Sequence, residues 1–257
     1  MPVRASDRLV IALDYPGLAE ALAFVRRAGP AVLWYKVGLE LFTAAGPEAV
    51  RALTGEGKRV FLDLKLHDIP NTVARAARQA AVLGADLLDV HVAAGEEAMR
   101  AAVSAVREAA PAGRAPLLLG VTVLTSAQRA DAGGEPLDPA GLVTAVVERA
   151  QRAQAAGLDG VVAPAAAIAE IARSCGPAFP ILTPGIRPAG AARGDQRWTA
   201  TPGEALRAGA RWIVVGRPIT AAADPAGAAG EILAELDRAA AVLPEAGGRP
   251  DPAPGPV

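Results

Sequence analysis

Several common routes to function are closed to this chain by what it lacks. It has one cysteine, Cys175, so no disulfide can form within the chain and no cysteine-based zinc cluster can be built. Nothing beside Cys175 marks it as a nucleophile, and it reads as a small apolar packing residue. Aromatic residues make up only 4%, which suits helices packed closely on a sheet better than a β-sandwich. Neither sign of charge is in excess: the net charge is −1, with no run of Lys or Arg. That argues against both a nucleic-acid-binding stripe and a polybasic membrane patch. No apolar run approaches the ~20 residues needed to span a bilayer, and the start, MPVRASDRLV, has no apolar signal-peptide core. A soluble cytoplasmic protein is expected.

What the chain does have is hydrophobic residues, 52% of 257, with Ala and Val prominent. They fall into short runs at a steady interval: LVIALD (9–14), LWYKVG (33–38), RVFLDLK (59–65), DLLDVHV (86–92), LLLGVTVL (117–124), DGVVA (159–163), PILTPG (180–185) and RWIVVG (211–216). Between them, segments such as 17–28, 71–83, 96–110, 139–156 and 203–209 carry apolar residues at helical spacing. Gly29, Gly57, Gly84, Gly157 and Gly209 punctuate the return from helix to strand. Eight strands alternating with eight helices over about 240 residues is the pattern of a (β/α)8 TIM barrel. The rival is a doubly wound open sheet, which usually has fewer strands and a glycine-rich first turn. No turn here spells that fingerprint, so the sequence predicts an α/β fold with a single barrel domain over 1–243. The last stretch, 244–257, holds five Pro and three Gly in 14 residues. It is expected to be a disordered tail.

The most informative segment is FLDLKLHDIPNT (61–72). It starts as a buried strand, yet Asp63 and Lys65 are set into it two apart, with Asp68 just before Pro70. Side chains two apart on a strand share a face, so Asp63 and Lys65 should project together and Leu62, Leu64 and Leu66 the other way. A charge in an apolar element is costly unless paired. One such pair could simply close a strand end; three charges in six positions point instead to an active site.

In a barrel of this type the chemistry sits at the C-terminal ends of the strands. Asp14, Lys36, the Asp63–Lys65 pair, His91, Thr125, Arg187 and Arg217 all fall at such ends, and together they would ring one mouth. His91 alone could equally be a satisfied core histidine. Gly216-Arg217 follows the eighth strand directly, where backbone N–H groups and a guanidinium can meet a phosphate. Residues 186–202 form a long loop containing Gly and Pro, read either as a surface insertion or, preferably, as a lid.

Taken together, ALDY (12–15), KVGLELF (36–42), FLDLKLHDIPNT (61–72), VTVLTS (121–126), TPGIRPAGAARGDQ (183–196) and VVGRPIT (214–220) resemble the orotidine 5′-phosphate decarboxylases, in the same order and spacing. The resemblance covers nearly the whole folded chain. It implies a carboxy-lyase that converts orotidine 5′-phosphate (OMP) to UMP in pyrimidine synthesis, with no cofactor and no metal. By that resemblance Asp14 and Lys36 would hold the ribose hydroxyls, with Lys36 also joining the charged network. Thr125 would lie over the pyrimidine, and Gln196 would link the pyrimidine side to the phosphate. Arg187, Arg217 and the Gly216 backbone would bind the phosphate and the lid. Lys65 would be the proton donor, flanked by Asp63 of its own subunit. Asp68 and Thr72 would cross a homodimer interface to serve the partner's site, and Ile69 beside them would contact substrate.

The chemistry is consistent with that assignment. Loss of CO2 leaves a carbanion at C6 of the pyrimidine, which a fixed ammonium in a dry site can stabilise and then protonate. The nearest alternative is a Mg2+-dependent sugar-phosphate enzyme resembling 3-keto-L-gulonate 6-phosphate decarboxylase, which shares the Asp-x-Lys-x-x-Asp core. The continuation HDIPNT and the GDQ of the 186–202 loop favour the nucleotide enzyme. A barrel that only senses a phosphorylated ligand is a third reading, opposed by the intact Asp63, Lys65 and Asp68.

Overall fold

The structure, a computed structural model, describes residues 4–110, 115–124, 138–189 and 199–242. Eight parallel strands close into a barrel in chain order: β1 (Leu9–Ala12), β2 (Trp34–Val37), β3 (Arg59–Leu66), β4 (Leu87–His91), β5 (Leu117–Val121), β6 (Gly160–Val162), β7 (Ile181–Thr183) and β8 (Trp212–Val215). Each apolar run in the sequence supplies one of them. β8 pairs back with β1 through Val10 and Val214, so the sheet has no open edge. The doubly wound alternative is thereby excluded.

The helices are α1 (Leu18–Ala28), α2 (Leu39–Ala45), α3 (Glu48–Gly55), α4 (Pro70–Val82), α5 (Glu96–Ala109), α6 (Pro139–Ala155), α7 (Ile168–Cys175), α8 (Pro202–Ala208), α9 (Arg217–Thr220) and α10 (Pro225–Ala240). Four of them begin with Pro at the first turn, where its missing N–H costs nothing: α4, α6, α8 and α10. Gly84 and Gly157, two of the expected helix-ending glycines, take φ of 85° and 87° where the chain turns back from α4 and α6. Cys175 ends α7, a half-buried free thiol packed against the core. The expected tail, 244–257, lies outside the described residues.

Two apolar layers hold the barrel. The larger lies between the sheet and the surrounding helices, with Ile11, Tyr35, Leu62, Leu88, Ile181 and Ile213 facing outward into it. The smaller fills the barrel itself: Val10, Ala12, Trp34, Phe61, Leu87, Leu119, Leu182, Trp212 and Val214. Within it the rings of Trp34 and Trp212 lie 6.2 Å apart at 58°, a tilted aromatic pair. This plug leaves the other half of the barrel axis for a different set of side chains.

Candidate active site at the barrel mouth

The inward-facing side chains change character two residues beyond the plug. On β1 the series runs Val10, Ala12 and then Asp14 past the strand end. On β2 Lys36 succeeds Trp34, on β3 Asp63 succeeds Phe61, and on β4 Asp89 and His91 succeed Leu87. The two-residue period of a strand therefore stacks charged groups directly on a buried apolar floor.

These groups form one chain of alternating charge. The Lys36 ammonium lies 3.2 Å from Asp14 Oδ1 and 3.3 Å from Asp63 Oδ2. The other Asp63 oxygen is in direct contact with Lys65 Nζ. The order is Asp14, Lys36, Asp63, Lys65, running from the exposed rim into the interior and back toward the opening. Burial opposes the charge on Lys36, but Asp63 and Asp14 outweigh it and raise its pKa above the ordinary value. Burial likewise opposes the Asp63 carboxylate, and Lys36 and Lys65 overcome it, holding Asp63 below the usual carboxylate range. Gly38, which precedes α2, makes room for this: a Cβ there would stand 2.7 Å from Lys36 Nζ.

Asp63 and Lys65 do share a face, but not through regular strand alternation. β3 advances from Leu62 to Leu66 while its neighbour β4 advances only from Leu88 to Val90, an irregularity that falls on the charged pair. Lys65 sits inside it with φ of 49°, the one described residue other than glycine with positive φ. Leu62, Leu64 and Leu66 pack outward as expected, the last two only partly buried. The bulge re-aims Lys65 at Asp63.

Sequence reasoning missed one member of the cluster, Asp89. It is fully buried on β4, and its Oδ1 accepts the backbone N–H of Lys65 at 2.8 Å. Burial, followed by the adjacent negative charge of Asp63, raises its pKa well above the usual range. The only signal in the sequence was its place between Leu87 and His91 on the interior face. His91 is also buried, its Nδ1 accepting from Ala93 N–H at 3.2 Å, and it stacks on His67 at 5.2 Å.

Two guanidiniums follow β7 and β8, those of Arg187 and Arg217. Arg187 is buried, and its Nη1 donates to its own residue's neighbour, the Ile186 carbonyl, at 2.9 Å. Burial and then the like charge of Arg217 push its pKa down, which places both cations in one electrostatic neighbourhood. The base of the long loop is pinned by Arg187 N–H to the Ala200 carbonyl, 3.0 Å, and by the Ile186–Ala200 bridge. Gly216 precedes α9 and accepts from Ile219 N–H at 2.9 Å, with exposed Arg217 as the first helical residue. Thr125 and Gln196 lie outside the described residues.

Asp68, Ile69 and Thr72 are placed differently. All three are exposed, at the start of α4, and Ile69 is 65% exposed. The Asp68 carboxylate accepts the Ile69 N–H at 2.7 Å, and among the described residues it makes no ion pair with Lys65 of its own chain. No group of three or more His, Cys, Asp or Glu among the described residues is arranged to hold a metal ion. No helix of the described residues is long and apolar enough to cross a membrane.

Comparisons with known proteins identify the family. Residues 7–232 match the family described as "Orotidine 5'-phosphate decarboxylase / HUMPS family". The orotidine 5'-phosphate decarboxylase of Moorella thermoacetica is 52% identical over 241 residues, 91% of this chain and 94% of that protein. That of an Anaeromyxobacter species is 51% identical, covering 91% of this chain and all of its own length. Among solved structures, the orotidine 5'-phosphate decarboxylase of Lactobacillus acidophilus superimposes with a TM-score of 0.77 at 34% identity, covering 90% of this chain and 100% of that one. The chain belongs to the orotidine 5′-phosphate decarboxylase / HUMPS family.

Proposed function

We propose that this protein is a cytoplasmic carboxy-lyase that decarboxylates OMP to UMP without metal or cofactor. The observation that carries the reading is the alternating chain Asp14–Lys36–Asp63–Lys65 standing on an apolar floor. Such a site stabilises an anion by fixed charge and not by delocalisation. The relatives at 51–52% identity carry the same activity in their names, which favours it over the sugar-phosphate alternative.

Lys65 is the group placed to meet charge developing at C6 and to deliver the proton there. A preorganised ammonium in a site with little water acts at low dielectric and needs no reorganisation as the C–C bond breaks. Asp63, held ionised by Lys36 and Lys65, keeps the Lys65 ammonium on its line of approach. Asp14 and Lys36, nearer the rim, are suited to the ribose hydroxyls. Arg187, Arg217 and the Gly216 backbone take the phosphate. Binding energy gathered there, far from the reacting carbon, can be used to order the network. Thr125 over the base and Gln196 between base and phosphate complete the set.

The active unit is a homodimer. Asp68 and Thr72 are exposed beside the apolar Ile69, and among the described residues Asp68 makes no ion pair with the Lys65 of its own chain. In this reading they serve the neighbouring site, where Asp68 supplies the second carboxylate beside Lys65. The test is the fall in orotidylate absorbance on adding purified protein, repeated after exhaustive EDTA treatment. Turnover that survives chelation is expected. Loss of activity restored by Mg2+ would favour the sugar-phosphate chemistry, and no turnover at all would sink the reading.

A further inference from the structure

Among the described residues, Asp89 is the one buried carboxyl in the mouth that the proposed reaction does not use. It is fully buried on β4, below the rim, and the charged groups facing it are Asp63 and Lys65 of β3. Its two oxygens do different things. Oδ1 accepts the Lys65 backbone N–H at 2.8 Å. Oδ2 is buried and, among the described residues, has no hydrogen-bond donor, and the Asp89 carboxyl as a whole adjoins that of Asp63. Two buried carboxyl groups side by side repel each other when both are ionised, which favours a neutral form of one of them. Asp63 is already committed as an anion to Lys36 and Lys65. The proton therefore belongs to Asp89.

The position of the Oδ1 contact is what gives this residue a task. It falls on the one residue of β3 with positive φ, Lys65 at 49°, inside the irregularity opposite β4. A left-handed conformation is unfavourable for a residue with a side chain unless its surroundings hold it. Asp89 reaches both ends of the reacting pair: the backbone that carries the Lys65 ammonium and the carboxylate that aims it.

We propose that Asp89 is a positioning residue for the decarboxylation, a neutral acid that clamps the Lys65 backbone through Oδ1 and donates a hydrogen bond to Asp63 through Oδ2. This rests on the assignment of Lys65 and Asp63 as the reacting pair. An asparagine can reproduce both contacts, its carbonyl accepting and its amide donating. A leucine of similar size can reproduce neither. Displacement of a reacting group by about 1 Å can cost about 100-fold in rate.

The experiment compares the steady-state kinetics of wild type, Asp89→Leu and Asp89→Asn with OMP, after circular dichroism and thermal melting have established folding. It also compares infrared spectra of wild type and Asp89→Asn at pH 7. Expected results are a kcat for Asp89→Leu lower by about 100-fold with KM changed by less than about threefold, and rescue by Asp89→Asn to within about tenfold of wild type. Wild type should show the carbonyl band of a protonated carboxylic acid, missing from Asp89→Asn. A folded Asp89→Leu as active as wild type would overturn the assignment, and so would an Asp89→Asn as impaired as Asp89→Leu. If Asp89→Leu does not fold, the infrared band and the rescue by Asp89→Asn decide. Absence of the band shows an ionised Asp89 and overturns the proposal. A wild-type protein with no OMP turnover would overturn the underlying reaction as well, whereas an active wild type beside an unaffected Asp89→Leu removes only the role of Asp89.

Discussion

Lys65 occupies a backbone conformation that costs roughly 1–2 kcal/mol for a residue with a side chain, and the cost is met by contacts at both ends of the residue. Its N–H is taken by Asp89 and its ammonium by Asp63. Such a conformation persists only where the surroundings fix it, and functional sites are where it is found. Lys65→Ala should fold and lose essentially all turnover, since one group supplies both the stabilising charge and the proton. Stopped assays on protein free of host enzyme check this, and a kcat near wild type would end the mechanism. Asp89 makes a separate prediction through stability. Its folded pKa lies above the ordinary value of 3.8, so the folded protein keeps a proton that the unfolded chain releases. Stability from this group is therefore full below the unfolded value and declines as pH rises toward the folded one, by at most about 1.4 kcal/mol per pH unit. Asp89→Asn has no such proton to hold. Its urea-derived stability relative to wild type should improve between pH 4 and pH 7, and a difference that does not change with pH would contradict the assignment.

At the scale of elements, the strands and their order were legible because each is a short apolar run closed by a helical segment and a glycine. Asp14, Lys36 and Asp63 were legible for the same reason: strand alternation alone puts them above Val10, Trp34 and Phe61. The bulge in β3 was not legible, because it depends on how β3 registers against β4, a pairing between residues far apart in the chain. Asp89 was missed with it: an acid in DLLDVHV has no visible task until the bulge brings the Lys65 N–H to it. The phosphate end belongs to the loops after β7 and β8, where Arg187 is held by its neighbours and Arg217 starts α9. Arg217→Ala should weaken OMP binding and turnover strongly, by the loss of a charge-assisted contact of roughly 1.5–3 kcal/mol. Orotidine, which has no phosphate, should be affected far less. Equal losses of kcat/KM for the two substrates would show that Arg217 acts through the fold.

For the whole molecule, the single chain offers three of the reacting charges in contact and leaves the fourth, Asp68, exposed on the rim with Thr72 and an apolar Ile69. A second copy would close that gap, each site joining Asp63 and Lys65 of one chain to Asp68 of the other. Homodimers of Lys65→Ala and of Asp68→Ala should each be nearly inactive. Mixed and allowed to exchange subunits, they form a heterodimer in which one site lacks both groups and the other has both. The decisive measurement is OMP turnover of that mixture, with exchange followed by native mass spectrometry. The shared site predicts activity returning toward one working site per heterodimer. If Asp68 acts within its own chain, every chain carries a lesion, and turnover that stays absent after complete exchange would contradict the account.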